Sequence, residues 1–131
     1  MNGIRIFGLS LLPATGLAFG AETRPGEVRK VAAKHPKVTF FLGHSLNNHW
    51  QEAIDITKEF PNTYLELTSV PGARGVMEVL VAGAGSDRIL FGTDLPWFEE
   101  HQGVGSLLSA DITEDDIHNI LHRNARRILG L

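Results

Sequence analysis

Hydrophobic and polar positions along the chain follow two patterns, a helical spacing and short apolar runs typical of buried strands. A helical pattern starts at Pro25-Gly26 and continues to about residue 34. The apolar run 38–42 predicts a strand that ends at Gly43. A second helical stripe covers about residues 48–60 and is broken by Pro61.

The second half of the chain repeats this alternation. Residues 63–67 predict a strand, residues 75–82 a helix and residues 88–92 another strand, and a loop with Gly103 and Gly105 follows. The last helix starts at Thr113, its N-cap, with Asp116 in the capping-box position, and Gly130 lies just past its end.

Strands separated by helices predict a parallel α/β sheet in one domain. Three strands are clear, and a fourth is predicted near residues 4–12. This is a half-sheet with open edges, from which we expect self-association or instability of the isolated chain.

Composition narrows the function classes. The chain has 131 residues, 43% of them hydrophobic and 21% charged, which is typical of a globular domain. A net charge of −3 provides no basic surface for nucleic acid. Cysteine is absent, so any metal would be held by nitrogen and oxygen ligands.

Residues 1–20 allow two interpretations. Arg5 precedes an apolar stretch, and small residues near Ala18 and Ala21 resemble a signal-peptide cleavage site, which would make the protein exported. Pro13 and two glycines interrupt the stretch, which is too short to cross a membrane. We favour a diverged strand or loop at 1–24, ahead of the main unit at 25–131, in a cytoplasmic protein.

Asp94 is the first candidate for chemistry. It follows the predicted strand around Ile89 and precedes Pro96. An acid at the carboxyl end of a strand in a parallel barrel is a catalytic or metal-binding candidate, because such sites form on that face. The alternative is an aspartate that caps a loop or the next helix.

Other polar and aromatic residues receive mainly structural predictions. Strand alternation points Glu66 into the interior of a barrel. Arg88 is predicted to pair with Asp87 or Glu66. His49 is predicted to be exposed or to cap a helix. The tryptophans, Trp50 and Trp97, are predicted to lie in the core or in a pocket wall. The two histidines spaced four residues apart, His118 and His122, are predicted to face solvent.

Four motifs together resemble the amidohydrolase superfamily, specifically its type 2 metal-dependent hydrolases and decarboxylases. They are FFLGH at 40–44, PNTYLEL at 61–67, DRILFGTDLP at 87–96 and NARRILGL at 124–131. The resemblance covers about residues 25–131 and matches the C-terminal part of that family. It implies a partial (β/α)₈ barrel, from about strand five or six to strand eight.

The resemblance also implies roles for two residues. His44 matches the sixth-strand histidine, a metal ligand or acid/base, and Asp94 matches the eighth-strand aspartate, which binds metal and accepts a proton from water. It further implies a divalent metal, zinc, and a small-molecule substrate. The first-strand His-x-His pair and the fifth-strand histidine of the family are missing, so two ligands do not complete a site.

Three functions follow from these observations. The first is metal-assisted hydrolysis of a C–N or C–O bond, or decarboxylation of a small acid, by an incomplete copy of the enzyme. The second is a non-catalytic barrel remnant. The third is a secreted binding module, which depends on cleavage after about residue 20.

Overall fold

The computed structural model describes residues 9–12, 16–19, 23–70, 74–97 and 99–131. Its five strands form one sheet, in which spatial order follows chain order. The strands are β1 (Leu9–Leu12), β2 (Gly16–Phe19), β3 (Thr39–Leu42), β4 (Thr63–Glu66) and β5 (Ile89–Leu90). Strands β2 to β5 are parallel, and β1 pairs antiparallel with β2. The predicted parallel α/β architecture is confirmed.

The helices follow the strands in the predicted alternation. They are α1 (Pro25–Lys34), α2 (Trp50–Glu59), α3 (Val76–Ala84), α4 (Glu100–Leu108), α5 (Glu114–His118) and α6 (Asn124–Leu129). Pro25 lies in the first turn of α1, where its missing N–H costs no hydrogen bond. Thr113 and Asp116 form the predicted capping box at α5. Gly130, with φ of 71°, ends α6 in the left-handed conformation that glycine tolerates.

The two faces of the sheet have different environments. Phe40, Leu42, Leu65 and Ile89 are at most 1% exposed and form one core cluster with apolar residues of the helices. Burying each such side chain stabilises the fold by about 1.5–3 kcal/mol. The opposite face carries the alternate residues Phe41, Tyr64, Glu66 and Leu90, with Phe41 beside Tyr64 and Glu66 beside Leu90 in the strand register. We term this face, which carries the residues that alternate with the core residues, the inner face of the sheet, since it would line the interior of a closed parallel barrel.

Helix α4 occupies the region that the sequence predicts as a loop. Gly103 and Gly105 lower its helix propensity by about 1 kcal/mol each relative to alanine. Packing outweighs this, because Leu107 is fully buried and a Cβ at Gly103 would lie 3.3 Å from the Phe91 ring. The loop prediction was therefore wrong, and tertiary contacts explain the helix.

Two side-chain predictions were also wrong. Arg88 bonds none of the carboxylates in the part of the chain that the structure describes. It donates hydrogen bonds to the backbone carbonyls of Phe60 and Thr63, and its guanidinium lies 4.9 Å from the centre of the Tyr64 ring. Trp97 is 79% exposed, so it does not belong to the core, and it is not among the residues that line the cavity described below.

The described residues include only part of the N-terminal segment, so they test only some of the predictions made for it. The strand predicted near residues 4–12 coincides with β1 at residues 9–12, and residues 4–8 lie outside the described part of the chain. Residues 20–22, at the cleavage-like sequence, also lie outside it. The boundary at residue 24 stays a prediction. None of the helices in the described residues has the length and apolar character needed to cross a membrane.

Candidate functional site

A left-handed turn presents His44 at the carboxyl end of β3. His44, Ser45, Leu46 and Asn47 have φ between 47° and 60°, which costs about 1–2 kcal/mol per non-glycine residue. Leu46 and Ser45 offset part of this cost, because Leu46 is 1% exposed and the buried Ser45 hydroxyl donates a 3.0 Å hydrogen bond to the Glu66 carbonyl. Strained backbone held in place by tertiary contacts is common at functional sites.

The ring of His44 has a defined orientation. Its Nδ1 lies 2.8 Å from the carbonyl oxygen of Thr68, and a carbonyl only accepts hydrogen bonds. Nδ1 therefore carries the proton, and in the neutral ring Nε2 keeps a free lone pair. A histidine held in this way at one nitrogen can bind a metal, accept a proton or bind substrate with the other.

The carboxylate of Glu66 links the ends of the strands. One oxygen, Oε2, accepts a 3.3 Å hydrogen bond from the backbone N–H of His44. The other, Oε1, accepts a 2.8 Å bond from the backbone N–H of Thr68 and a second bond from the Thr68 hydroxyl. Strand alternation predicts the inward direction of Glu66, but the sequence does not reveal that it orders the His44 turn.

Asp94 lies four residues beyond β5, at the same edge of the sheet as His44, because β3, β4 and β5 run parallel. Its φ is 60°, and its carbonyl accepts a 2.8 Å bond from the backbone N–H of Trp97. Asp94 is half-buried and begins a tight turn. The structure therefore places both predicted site residues at one edge, separated by the strand that carries Glu66.

A cavity of about 280 Å³ opens on the inner face of the sheet below this edge. Its wall is apolar except for Glu66, and α6 supplies one side. The lining residues are Phe41, Gly43, Glu66, Leu90, Phe91, Ala125, Ile128 and Leu129. A mostly apolar cavity with one carboxylate suits a small organic molecule that carries a polar group.

The donor set for a metal is incomplete in the described residues. No group of three or more histidine and carboxylate side chains there is arranged to hold a metal ion. His44 and Asp94 are suitable donor types, but an open zinc site needs about three protein ligands. These residues alone therefore do not fit a metal ion.

Three other histidines lie outside the site. His35, His101 and His49 are exposed, and His49 Nδ1 lies 3.3 Å from the Glu52 carboxylate, consistent with its predicted location at a helix start. Hydrogen bonds are the main cause of lowered pKa values at three carboxyls, all of which lie on elements away from this site: Glu52, Glu78 and Asp116.

Comparisons with known proteins support the fold and identify a matching family. A family model described as amidohydrolase matches residues 11–131. No curated protein matches the chain. Among solved structures, an uncharacterized TIM-barrel protein from Bordetella bronchiseptica has a TM-score of 0.72 at 28% identity, over 81% of this chain and 39% of its own.

Two other matched structures contain metals. A dihydroxybenzoic acid decarboxylase from Polaromonas, solved with manganese and the inhibitor 2-nitroresorcinol, has a TM-score of 0.66 at 20% identity, over 92% of this chain and 42% of its own. An amidohydrolase from Burkholderia multivorans with bound zinc has a TM-score of 0.66 at 14% identity, over 82% and 49%. The chain spans less than half the length of each of these three barrel structures.

Proposed function

Since the chain belongs to the amidohydrolase family, we propose that it carries part of the active site of a metal-dependent hydrolase or decarboxylase that acts on a small acid. One observation carries this proposal. His44 is held through Nδ1 by a backbone carbonyl at the same sheet edge as Asp94, which in the neutral ring leaves a lone pair on Nε2. The matched part of the family is proposed to be its C-terminal half.

The proposed roles follow from the chemistry of the two side chains. The Asp94 carboxylate accepts a proton from the attacking water or from the substrate. His44 exchanges a proton or binds the substrate through Nε2, because its other nitrogen is engaged by Thr68. Glu66 orders the turn that carries His44 and gives the cavity wall its one carboxylate.

Metal binding at this edge would need ligands in addition to those found among the described residues. His44 and Asp94 would contribute two ligands, and at least one further donor would have to join them at the same edge. When bound, a divalent metal would supply a water molecule of near-neutral pKa. The proton-transfer roles of His44 and Asp94 are proposed from their own chemistry.

The test is an activity assay of the purified chain with added Zn²⁺ or Mn²⁺. Hydroxybenzoates are assayed for CO₂ release, and cyclic amides and lactones for hydrolysis. Asp94→Asn keeps the size but removes the basicity, so we expect the rate to fall by about 100-fold or more. His44→Ala should weaken substrate or metal binding as well as lower the rate.

Glu99→Gln is the matched control, because Glu99 is exposed in the segment after Asp94 and its side chain makes no cap hydrogen bond. Equal rates for Asp94→Asn and Glu99→Gln would contradict the assigned role of Asp94. Absence of turnover in both reaction classes would favour the alternative, a non-catalytic barrel remnant. The incomplete donor set is the observation that supports this alternative.

A further inference from the structure

Two histidines outside the candidate site lie together on the last helical segment. His118 ends α5 and His122 lies in the π turn Asn119–Arg123, which leads into α6. Both side chains are exposed, as the sequence predicts. They are neighbours because residues four apart lie on one face of a helix. Neither lines the cavity at the sheet edge. Single π turns in helices frequently occur at functional sites.

The separation of their nitrogens suits chelation. Nδ1 of His118 lies 3.2 Å from Nε2 of His122, and the ring centres are 5.4 Å apart in an edge-to-face arrangement. Imidazole nitrogens bind zinc at about 2.0–2.1 Å, so two adjacent ligands on one tetrahedral or octahedral ion are about 2.9–3.4 Å apart. The observed separation falls within this range before any metal binds.

At 3.2 Å, the same two nitrogens are within hydrogen-bonding distance of each other. A hydrogen bond between two imidazoles needs one protonated and one free nitrogen. If the proton moves to the other nitrogen of its ring, both facing nitrogens have lone pairs. Because both rings are at the surface, rotation about the side-chain bonds can direct these lone pairs at one ion.

The charged side chains near His118 and His122 are compatible with a bound cation. Arg123 is the closest cation along the helix, and its guanidinium is engaged 2.8 Å from the Asp115 carboxylate and 3.5 Å from the Asn119 side-chain oxygen. The turn that precedes His118 carries three acids, Glu114, Asp115 and Asp116. Between residues 114 and 123, the segment that carries the two histidines therefore has three acids and one arginine.

We propose that His118 and His122 form a surface chelate site for a divalent transition-metal ion, with water completing its coordination. Two imidazoles prefer ions that favour nitrogen ligands, so binding should be tightest for Cu²⁺, weaker for Zn²⁺ and weakest for Mn²⁺. The three acids alone would favour ions that prefer oxygen ligands, such as Mn²⁺ and Mg²⁺. The order of metals therefore distinguishes a histidine chelate from an acidic cluster.

The experiment is a titration of the full chain with Zn²⁺ at neutral pH, followed by NMR of the histidine ring protons and by calorimetry. We expect the His118 and His122 resonances to shift together at one equivalent. His118→Gln and His122→Gln should each weaken this binding by about tenfold or more, because one imidazole cannot chelate. Circular dichroism checks that the helix of each variant stays folded.

His101→Gln is the matched control, because it removes a single exposed histidine from another helix. His44→Gln separates this site from the sheet edge. Unchanged zinc affinity in the His118→Gln/His122→Gln double variant would overturn the proposal. So would tighter binding of Mn²⁺ than of Zn²⁺, or an equal loss of affinity in His101→Gln.

Discussion

Gly92 lies directly against the carboxylate of Glu66, so close that a Cβ built on Gly92 would overlap Oε1 of Glu66 and the hydroxyl of Thr68. Glycine therefore fits after β5 without displacing the Glu66 side chain, which extends from β4 into the space next to Gly92. The contact ties the segment that leads to Asp94 to the carboxylate that holds the His44 turn.

Substitution of Gly92 by alanine should therefore destabilise the protein. Gly92→Ala forces Glu66 or Thr68 out of position, which we expect to lower the free energy of unfolding by about 1–3 kcal/mol. Urea denaturation followed by circular dichroism measures this change in the free energy of unfolding. Gly26→Ala in α1 is the control, because nothing lies within 4 Å of the added methyl group and alanine favours the helix. Equal stabilities of the two variants would contradict the close approach.

The capping box at α5 should make stability depend on pH. Hydrogen bonds from Ser86 and Thr113 hold the pKa of Asp116 below its ordinary value. Since the folded-state pKa is lower than the unfolded one, this stabilisation is present above the ordinary carboxyl pKa and is lost as pH falls through the lowered pKa. Asp116→Asn should lower the free energy of unfolding by about 1 kcal/mol at neutral pH and by less in acid.

Glu114→Gln is the control for the capping-box effect. It removes a charge from the same first turn of α5 but leaves the Thr113–Asp116 hydrogen bonds intact. Denaturation curves over a pH series give the comparison. A loss in Asp116→Asn that persists below the lowered pKa would show that the charge of the carboxylate does not explain the effect. A loss equal to that in Glu114→Gln at every pH would show that helix-dipole charge alone explains it.

Metal content should reflect the two donors at the sheet edge. We expect the isolated chain to retain no stoichiometric zinc after dialysis, because His44 and Asp94 supply fewer ligands than an open zinc site needs. The proposed His118–His122 chelate exchanges its metal on dialysis, since water fills its remaining positions. Elemental analysis is the measurement. One equivalent of zinc that survives dialysis and disappears in Asp94→Asn would reveal further ligands at the edge.

The inner face of the sheet predicts self-association. The cavity wall is largely apolar, and at its α6 side Leu129 is 54% exposed. In a closed barrel this face would be covered by side chains of the other strands. We propose that the chain on its own associates through this open side, and that Leu129→Lys reduces the association seen by analytical ultracentrifugation.

Leu108→Lys is the control for the association, because Leu108 is 59% exposed and does not line the cavity. Equal effects of the two lysines would indicate nonspecific aggregation. A monodisperse monomer for the unmodified chain would contradict the prediction outright.

Local pattern was sufficient to predict most of the fold. Helices α1, α2 and α3 and strands β3 and β4 coincide with their apolar periodicities to within two residues, because each buries one face against the same core. The capping box at Thr113 was also predictable, since both partners lie within one turn. The alternation of these elements then implies parallel strands, whose shared edge brings together the segments of His44 and Asp94.

The tertiary structure alone decided the contacts between residues distant in sequence. The acceptor of the His44 ring lies 24 residues away, at the Thr68 carbonyl, and Arg88 meets two carbonyls 25 and 28 residues earlier. Helix α4 forms despite its glycines because Gly103 packs against Phe91 and Leu107 is buried. Sequence determined which residues prefer helix or strand because those preferences are local. The hydrogen-bond partner of a polar side chain depends on which backbone atoms the packed elements bring within about 3 Å of it. No local sequence pattern specifies that distance.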